Sequence, residues 1–303
     1  MLLGWVMKTI KENYAIPPPK SAALEGVHRV NNYVKAKLIQ DNLVLNGQVL
    51  DMPCGKGGDL KKYRQNKASF YMGIDLVSAN IAEARRRHEA TRCMFGAHFM
   101  EGDFTLPLDL ASQYDVVSCM LAMHYAWDTE ERARQVMRNA AERLKPDGTF
   151  LVTVPDFTEI LDRLVAMTKR QDEYNFAQKH GDGTYTYHIG GRRYWLEFTS
   201  DMSFTGFFAG LRACPYGHKY VYYQEGAVDK VPEYLVEPKE LARIAGLEGL
   251  RIVSSDSFRT FVERPDTRLA RQMNCSLDLE AEGRDLMCLY KAIVLRQAKR
   301  RRD

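Results

Sequence analysis

Apolar positions between residues 26 and 155 recur with two alternating periods. Val27, Val30, Tyr33, Val34, Leu38 and Ile39 keep helical spacing, which predicts a leading helix over 26–41. After the Asn46-Gly47 turn, 48–52 is a short apolar run read as a first strand. The pattern then predicts a helix at 58–65, a strand at 70–74 and a helix from Ser78 to about residue 90. Ala79, Ile81, Ala82 and Ala84 mark the inner face of that last helix. Strands at 98–100 and 114–119 follow, then a helix at 129–144. The sequence Leu144-Lys145-Pro146-Asp147-Gly148 reads as helix stop and turn before a strand at 149–154.

The order over 47–155 is therefore β-α-β-α-β-β-α-β. Short apolar strands alternating with amphipathic helices predict an α/β, Rossmann-like, mostly parallel sheet with helices on both faces. Right-handed crossovers bring the loops at 52–58, 75–78, 101–105 and 119–127 to one sheet edge, where ligands bind in such folds. Residues 156–235 break the alternation and are dense in aromatics, from Tyr185 to Tyr234. They read as a helix at 157–168 followed by hairpins and loops, an insertion over the sheet edge. A helix at 237–246 starting on Pro238, and strands at 250–254 and 286–295, close the fold. The expected organisation is an arm at 1–25 carrying Pro17-Pro18-Pro19, and a catalytic domain at 26–298. That domain has its core at 47–155 and 236–295 and its insertion at 156–235, and a basic tail at 299–303 follows it.

Composition narrows the class. With 45% apolar and 27% charged residues, the 303-residue chain is an ordinary globule, which excludes disordered, collagen-like and coiled-coil chains. Its longest weakly polar run, 116–127, is too short to span a bilayer, so no membrane role is expected. Met1 to Ile10 lacks the flanks of a secretory signal. None of the six cysteines forms a CxxC pair, which argues against a zinc ribbon and for a reducing compartment. The formal charge of +4 is modest but clumped, at Arg85-Arg86-Arg87-His88, Arg192-Arg193 and Lys299-Arg300-Arg301-Arg302. Such clumps suit a local polyanion, and equally a solvated face.

Chemistry enters at Asp51-Met52-Pro53-Cys54-Gly55-Lys56-Gly57-Gly58-Asp59-Leu60. The glycines let backbone approach a ligand, but Leu60 stands where a dinucleotide fingerprint needs its third glycine. Asp75, ending the second strand, suits the two hydroxyls of a ribose, and Asp103 an adenine amino group with Phe104 flanking the ring. An acid at or near each of three strand ends suits S-adenosylmethionine, which is cationic at sulfur and at its amine. The plain alternative is that Asp51, Asp75 and Asp103 are caps and turn formers.

These residues also carry a family resemblance. The segment Leu50 to Leu60 resembles the first motif of the mRNA cap guanine-N7 methyltransferases of eukaryotes and viruses. Asn31-Asn32-Tyr33-Val34-Lys35, Met123-His124-Tyr125-Ala126-Trp127 and Val231-Pro232-Glu233-Tyr234-Leu235-Val236 resemble three further motifs in the same order. The resemblance implies methyl transfer from S-adenosylmethionine, with S-adenosylhomocysteine as product, to N7 of a 5′-5′ linked guanosine. It gives Lys35, Asp75, Asp103 and the backbone around Pro53 and Gly55 to the methyl donor, which Tyr125 also borders. It gives Asn31, Lys56, Lys62, Arg87, His124, Tyr125, Glu233 and Tyr290 to the cap. Two positions depart from it: Pro53 replaces a usual Gly, and Met120, on the donor side, replaces a common Gln.

Guanine N7 already bears a lone pair, so no general base is expected; His124, Tyr125 and Glu233 act by positioning. Glu233 can accept from guanine N1–H and its amine together, which adenine cannot supply. Glu225 and Glu237 compete for this role, but Pro232 fixes the approach of Glu233. Tyr125 and Tyr290 offer faces or edges to the purine, Tyr220 and Tyr222 wall it, and Lys56, Lys62 and Arg87 meet the triphosphate, with Arg85 and Arg86 extending that path. No metal is expected. The implied partners are a capped RNA 5′ end and, for earlier or stimulatory steps, a guanylyltransferase, a triphosphatase or an activating subunit; a monomer is expected. Location is expected in the nucleus, or in the cytoplasm for a viral or cytoplasmic capping pathway. Two rival readings stand beside this one: a methyltransferase for a small molecule or protein, and a non-catalytic cap- or RNA-binding module.

Overall fold

The structure is a computed structural model that describes residues 25–90, 95–169, 177–201 and 204–298. The arm read at 1–25, apart from Glu25, and the tail read at 299–303 lie outside the described residues. A leading helix α1 (Glu25–Asn42) is followed by β1 (Gln48–Asp51), α2 (Leu60–Gln65), β2 (Phe70–Asp75), α3 (Ser78–Ala90), β3 (Gly96–Glu101) and β4 (Tyr114–Met120). A 3-10 turn (Met123–Ala126) leads into α4 (Glu130–Arg143), β5 (Leu144–Pro155) and α5 (Phe157–Lys169). A second sheet follows, of β6 (Ala177–Lys179), β7 (Tyr185–Gly190), β8 (Tyr194–Ser200), β9 (Lys219–Gln224) and β10 (Val228–Tyr234), with α6 (Phe204–Ala213) between β8 and β9. The chain closes with α7 (Pro238–Leu247), β11 (Leu250–Ser257), α8 (Phe258–Glu263), α9 (Thr267–Gln272), α10 (Ala281–Cys288) and β12 (Tyr290–Gln297).

The main sheet has seven strands in the order β11-β12-β5-β4-β1-β2-β3. β1 to β5 pair in parallel, and β12 runs antiparallel to both β5 and β11. Alternation along each strand sends neighbours to opposite faces. Val49, Val116 and Leu151 join one buried cluster with α1 and the second sheet, while Leu50, Val117 and Val152 join another with α4 and α7. Helix α4 shows how local sequence selects an element. Thr129 caps it by accepting from the Arg132 N–H at 3.3 Å, and Ala133, Val136, Met137 and Ala140 bury one stripe. Chain order reverses between β1 and β4, so the loops leaving their C-terminal ends diverge and open a crevice.

Three expectations are corrected. Residues 144–148, read as a turn, are extended and run into β5, with a register irregularity between Tyr114 and Val116 on β4. The last strand begins at Tyr290, because 286–288 complete α10. The insertion is more regular than hairpins and loops: its five strands form one antiparallel sheet in the order β10-β9-β8-β7-β6. The short helices α8 and α9 had no counterpart in the sequence reading, since each spans six residues. No helix among the described residues is long and apolar enough to cross a membrane.

Candidate active site

A cleft of about 470 Å³ lies where the crevice of the main sheet meets the second sheet. Its floor is built by the β1, β2 and β3 ends. Gly55 sits at φ +52, and an added Cβ there would meet nothing within 4 Å, so the backbone itself faces open space. Gly57 at φ +70 serves packing instead: a Cβ would come within 2.5 Å of Leu60 Cδ1 and 3.2 Å of Ala84. Asp75 fixes this loop, accepting from the Gly55 N–H at 2.8 Å through Oδ2, and from the Val77 N–H at 2.9 Å and Asn80 Nδ2 at 3.0 Å through Oδ1. Asp103 accepts the N–H and hydroxyl of Thr105 at 2.9 and 2.7 Å, both through Oδ1. The Thr105 hydroxyl in turn accepts from Arg132 at 3.2–3.3 Å, whose other arm pairs with Asp128 at 2.6 Å. Lys35 reaches the floor from α1 and pairs with Asp59 at 3.1 Å.

The roof comes from the second sheet and the turn after β4. Glu233, 5% exposed, accepts from the Tyr220 hydroxyl at 2.6 Å through Oε2. Its Oε1 lies 3.4 Å from both the Tyr125 hydroxyl and His124 Nε2. Burial, then the charge of Glu233, pushes the Tyr220 phenol well above its ordinary range, which keeps it a neutral donor. The Tyr290 hydroxyl donates to that of Tyr222 at 2.8 Å, which donates to Gln224 Oε1 at 2.9 Å. Buried polar atoms are normally paired. Around this cleft Asn31 Oδ1, Asn80 Oδ1, both ring nitrogens of His124 and Gln224 Nε2 are buried without a hydrogen-bond partner among the described residues. Such atoms fit a site whose missing partners belong to a polar ligand.

The mRNA (guanine-N(7))-methyltransferase domain matches residues 20–287. The chain belongs to that family. It is 29% identical to mRNA cap guanine-N(7) methyltransferase 1 of Arabidopsis thaliana and 30% identical to its namesake in Oryza sativa subsp. japonica, over 95% of this chain and 79% of each relative. With the mRNA cap guanine-N(7) methyltransferase of Saccharomyces cerevisiae it shares 34% identity over 76% of this chain and 52% of that one. An S-adenosylmethionine-dependent methyltransferase from Clostridium acetobutylicum ATCC 824 superposes with a TM-score of 0.51 at 12% identity, covering 89% of this chain and 92% of that one. That last likeness is one of fold.

In this cap-methyltransferase fold most residues singled out from sequence converge. Lys35, Pro53, Gly55, Asp75, Asp103, Phe104 and Met120 line the floor side, and Tyr125 stands between the two sides. Asn31, Lys56, Arg87, His124, Tyr222, Glu233 and Tyr290 line the remainder. Arg87 also pairs with Glu83 at 2.7 Å.

Three candidates do not line the cleft. Asp51 is 2% exposed, and its oxygens are taken by the Ser118 hydroxyl at 2.6 Å and the Tyr71 hydroxyl at 2.7 Å. Burial, then the charge of Asp59, pushes its carboxyl up to about 7, so it is a buried structural acid. Lys62 is 6% exposed, with its ammonium on Asp59 at 2.6 Å, Asn32 Oδ1 at 2.8 Å and the Gly58 carbonyl at 3.2 Å. Its three donors are spent inside the protein, which leaves none for a triphosphate. Tyr220 stands behind Glu233 as its donor, outside the cleft lining. Two outlying basic residues are likewise engaged: Arg85 donates to the Phe99 carbonyl at 2.7 Å, and Arg86 grips Glu83 at 2.7 and 2.9 Å.

Sequence reasoning assigned no role to Asp59, Asn80, Arg132 or Gln224. Desolvation raises the Asp59 carboxyl, but Lys35 and Lys62 outweigh it and hold the acid below its ordinary value. Asp59 sits inside the glycine loop, directly after Gly58, where its position is visible in the sequence. Gln224 shares a strand face with Tyr220 and Tyr222, a period-2 signal visible once β9 is assigned.

Proposed function

We propose that this cleft methylates N7 of the guanosine cap on RNA 5′ ends, with S-adenosylmethionine as donor and by positioning alone. The observation that carries the reading is Glu233: a buried carboxylate anchored from behind by Tyr220, with its other oxygen turned toward Tyr125 and His124. A carboxylate held this way accepts from two donors on one planar edge, as guanine N1–H and its exocyclic amine present them. Adenine would leave it unpaired, and such a site rejects the analogue by about 10⁴–10⁵.

The floor fits the donor. Gly55 leaves space where a side chain would intrude, and Asp75 and Asp103 supply negative charge beside it. Bound there, S-adenosylmethionine supplies an electrophilic methyl group on sulfur, which N7 accepts by in-line displacement. The protein's part is to hold both reactants. Asp103, kept in place by Thr105 and Arg132, faces the adenosine side, while Tyr125 bounds the space between floor and roof. Approximation of this kind supplies on the order of 7–11 kcal/mol. No residue is asked to move a proton. Lys56 and Arg87 serve the phosphate bridge.

A capped end requires prior guanylyl transfer, so a guanylyltransferase or triphosphatase acts upstream, and the basic run 299–302 supports a nuclear address. The test uses purified protein, labelled S-adenosylmethionine and GpppA, GTP or ATP. Label should enter GpppA and GTP at N7 and be absent from ATP. Label in ATP, or none anywhere, removes the reading; cap binding without turnover would favour a binding module.

A further inference from the structure

Gln224 carries an unspent polar group among the described residues. It is 4% exposed, lines the cleft, and has its carbonyl oxygen fixed by the Tyr222 hydroxyl. Tyr222 is itself oriented, since it accepts from Tyr290 and spends its one hydrogen on Gln224. The relay therefore holds the amide plane in one orientation and leaves Nε2 as a buried donor without an acceptor among the described residues. An unmet buried donor destabilises a fold, because its desolvation is not repaid. A fold tolerates that cost where a ligand brings the missing acceptor.

The register says which part of a ligand this is. On β9 and β10, Tyr220 is paired with Glu233 and Gln224 with Val228. Gln224 lies on the same strand face as Tyr220, four residues further on, about 13 Å at the usual rise per residue. That distance carries past a base held at Glu233 and reaches the sugar and phosphates attached to it. We propose that Gln224 Nε2 donates to an oxygen of the ribose–phosphate portion of the cap nucleotide, making it a specificity contact beyond the guanine base. The Tyr290–Tyr222 relay then acts as its positioning support. This inference rests on the cap-methylation reading.

Wild-type methylation of GpppA tests that reading by itself and is measured first. Dissociation constants for GpppA, GTP and 2′,3′-dideoxyGTP are then measured by calorimetry with S-adenosylhomocysteine present, for wild type, Gln224→Leu and Gln224→Glu. The expected result is an approximately tenfold weaker GpppA for Gln224→Leu, with S-adenosylhomocysteine affinity unchanged, which also reports an intact fold. If a phosphate oxygen is the acceptor, the loss persists on dideoxyGTP and Gln224→Glu, which keeps the acceptor for Tyr222 but adds charge, binds GpppA more weakly still. If a ribose hydroxyl is the acceptor, the loss vanishes on dideoxyGTP. GpppA affinity unchanged in Gln224→Leu overturns the proposal. So does a loss that persists on dideoxyGTP and is rescued by Gln224→Glu, because that pattern belongs to a group that only holds Tyr222.

Discussion

Floor and roof of the cleft solve the same problem, holding polar groups out of water, in opposite ways. On the floor, Asp75 takes its donors from positions 20, 2 and 5 residues away, and Lys62 meets Asp59 three residues off. These groups are satisfied before any ligand arrives. On the roof, the Tyr125–Glu233 pair is 108 residues apart in sequence and the Tyr222–Tyr290 pair 68 apart. There the assembled groups still leave His124 and Gln224 with unmet nitrogens. The floor is largely a self-supporting cradle, Asn80 Oδ1 being its exception among the described residues, and the roof is a template completed by its substrate. Damage to the floor should therefore register first as lost stability, and damage to the roof as lost recognition.

The sharpest way to break this comparison is Lys62→Met. It keeps the stem but strips a buried ion pair of one partner, leaving Asp59 to Lys35 alone. Breaking such a pair costs about 3–5 kcal/mol, and the surviving Lys35 contact points to the lower end. Urea unfolding should show that loss, while the GpppA KM, measured where the variant is folded, stays within about threefold. A tenfold rise in KM with unchanged stability would return Lys62 to the phosphate bridge and erase the distinction drawn for the floor.

Glu233→Gln probes the other side. The amide still accepts from Tyr220, so the fold should hold, but its NH2 would oppose a donor edge. Charge-assisted hydrogen bonds are worth about 1.5–3 kcal/mol, so kcat/KM for GpppA should fall about 10–100-fold. Donor affinity by calorimetry should not change. The shape of the pH–rate profile should also survive, because no proton is relayed through this residue. Equal turnover would remove the guanine readout, and a lost pH limb would make Glu233 a base.

The same contrast explains what could be read from the chain. The floor was legible because its glycine loop, Asp75 and Asp103 fall within one β-α-β-α-β stretch, where period and punctuation place each acid at a strand end. Its failures were matters of side-chain direction. Asp51 and Lys62 have the right chemistry at the right loop, and only the fold shows that Ser118, Tyr71, Asn32 and Asp59 already occupy them. The roof depends on the register of β9 against β10 and on Tyr290 arriving from the last strand, which no local pattern encodes. Glu233 and Tyr290 were reached through resemblance, and Gln224 was not reached at all.

His124→Phe gives the smallest effect and the finest discrimination. His124 is 2% exposed, and neither ring nitrogen has a hydrogen-bond partner among the described residues. Its Nε2 sits 3.4 Å from Glu233, too far to repay full desolvation. A phenyl ring of similar shape removes the unmet polar atoms and can lean into the adjoining cleft, so the variant should gain about 1 kcal/mol of stability. For a chain of this size that is a rise of about 2 °C in thermal midpoint. The GpppA KM should rise in the same variant, because the ligand loses what the nitrogens supply. Stability and recognition would then move in opposite directions at one residue, as expected of a group kept unmet for a substrate. A lower midpoint would mean that His124 is already satisfied inside the protein, and that the roof is built like the floor.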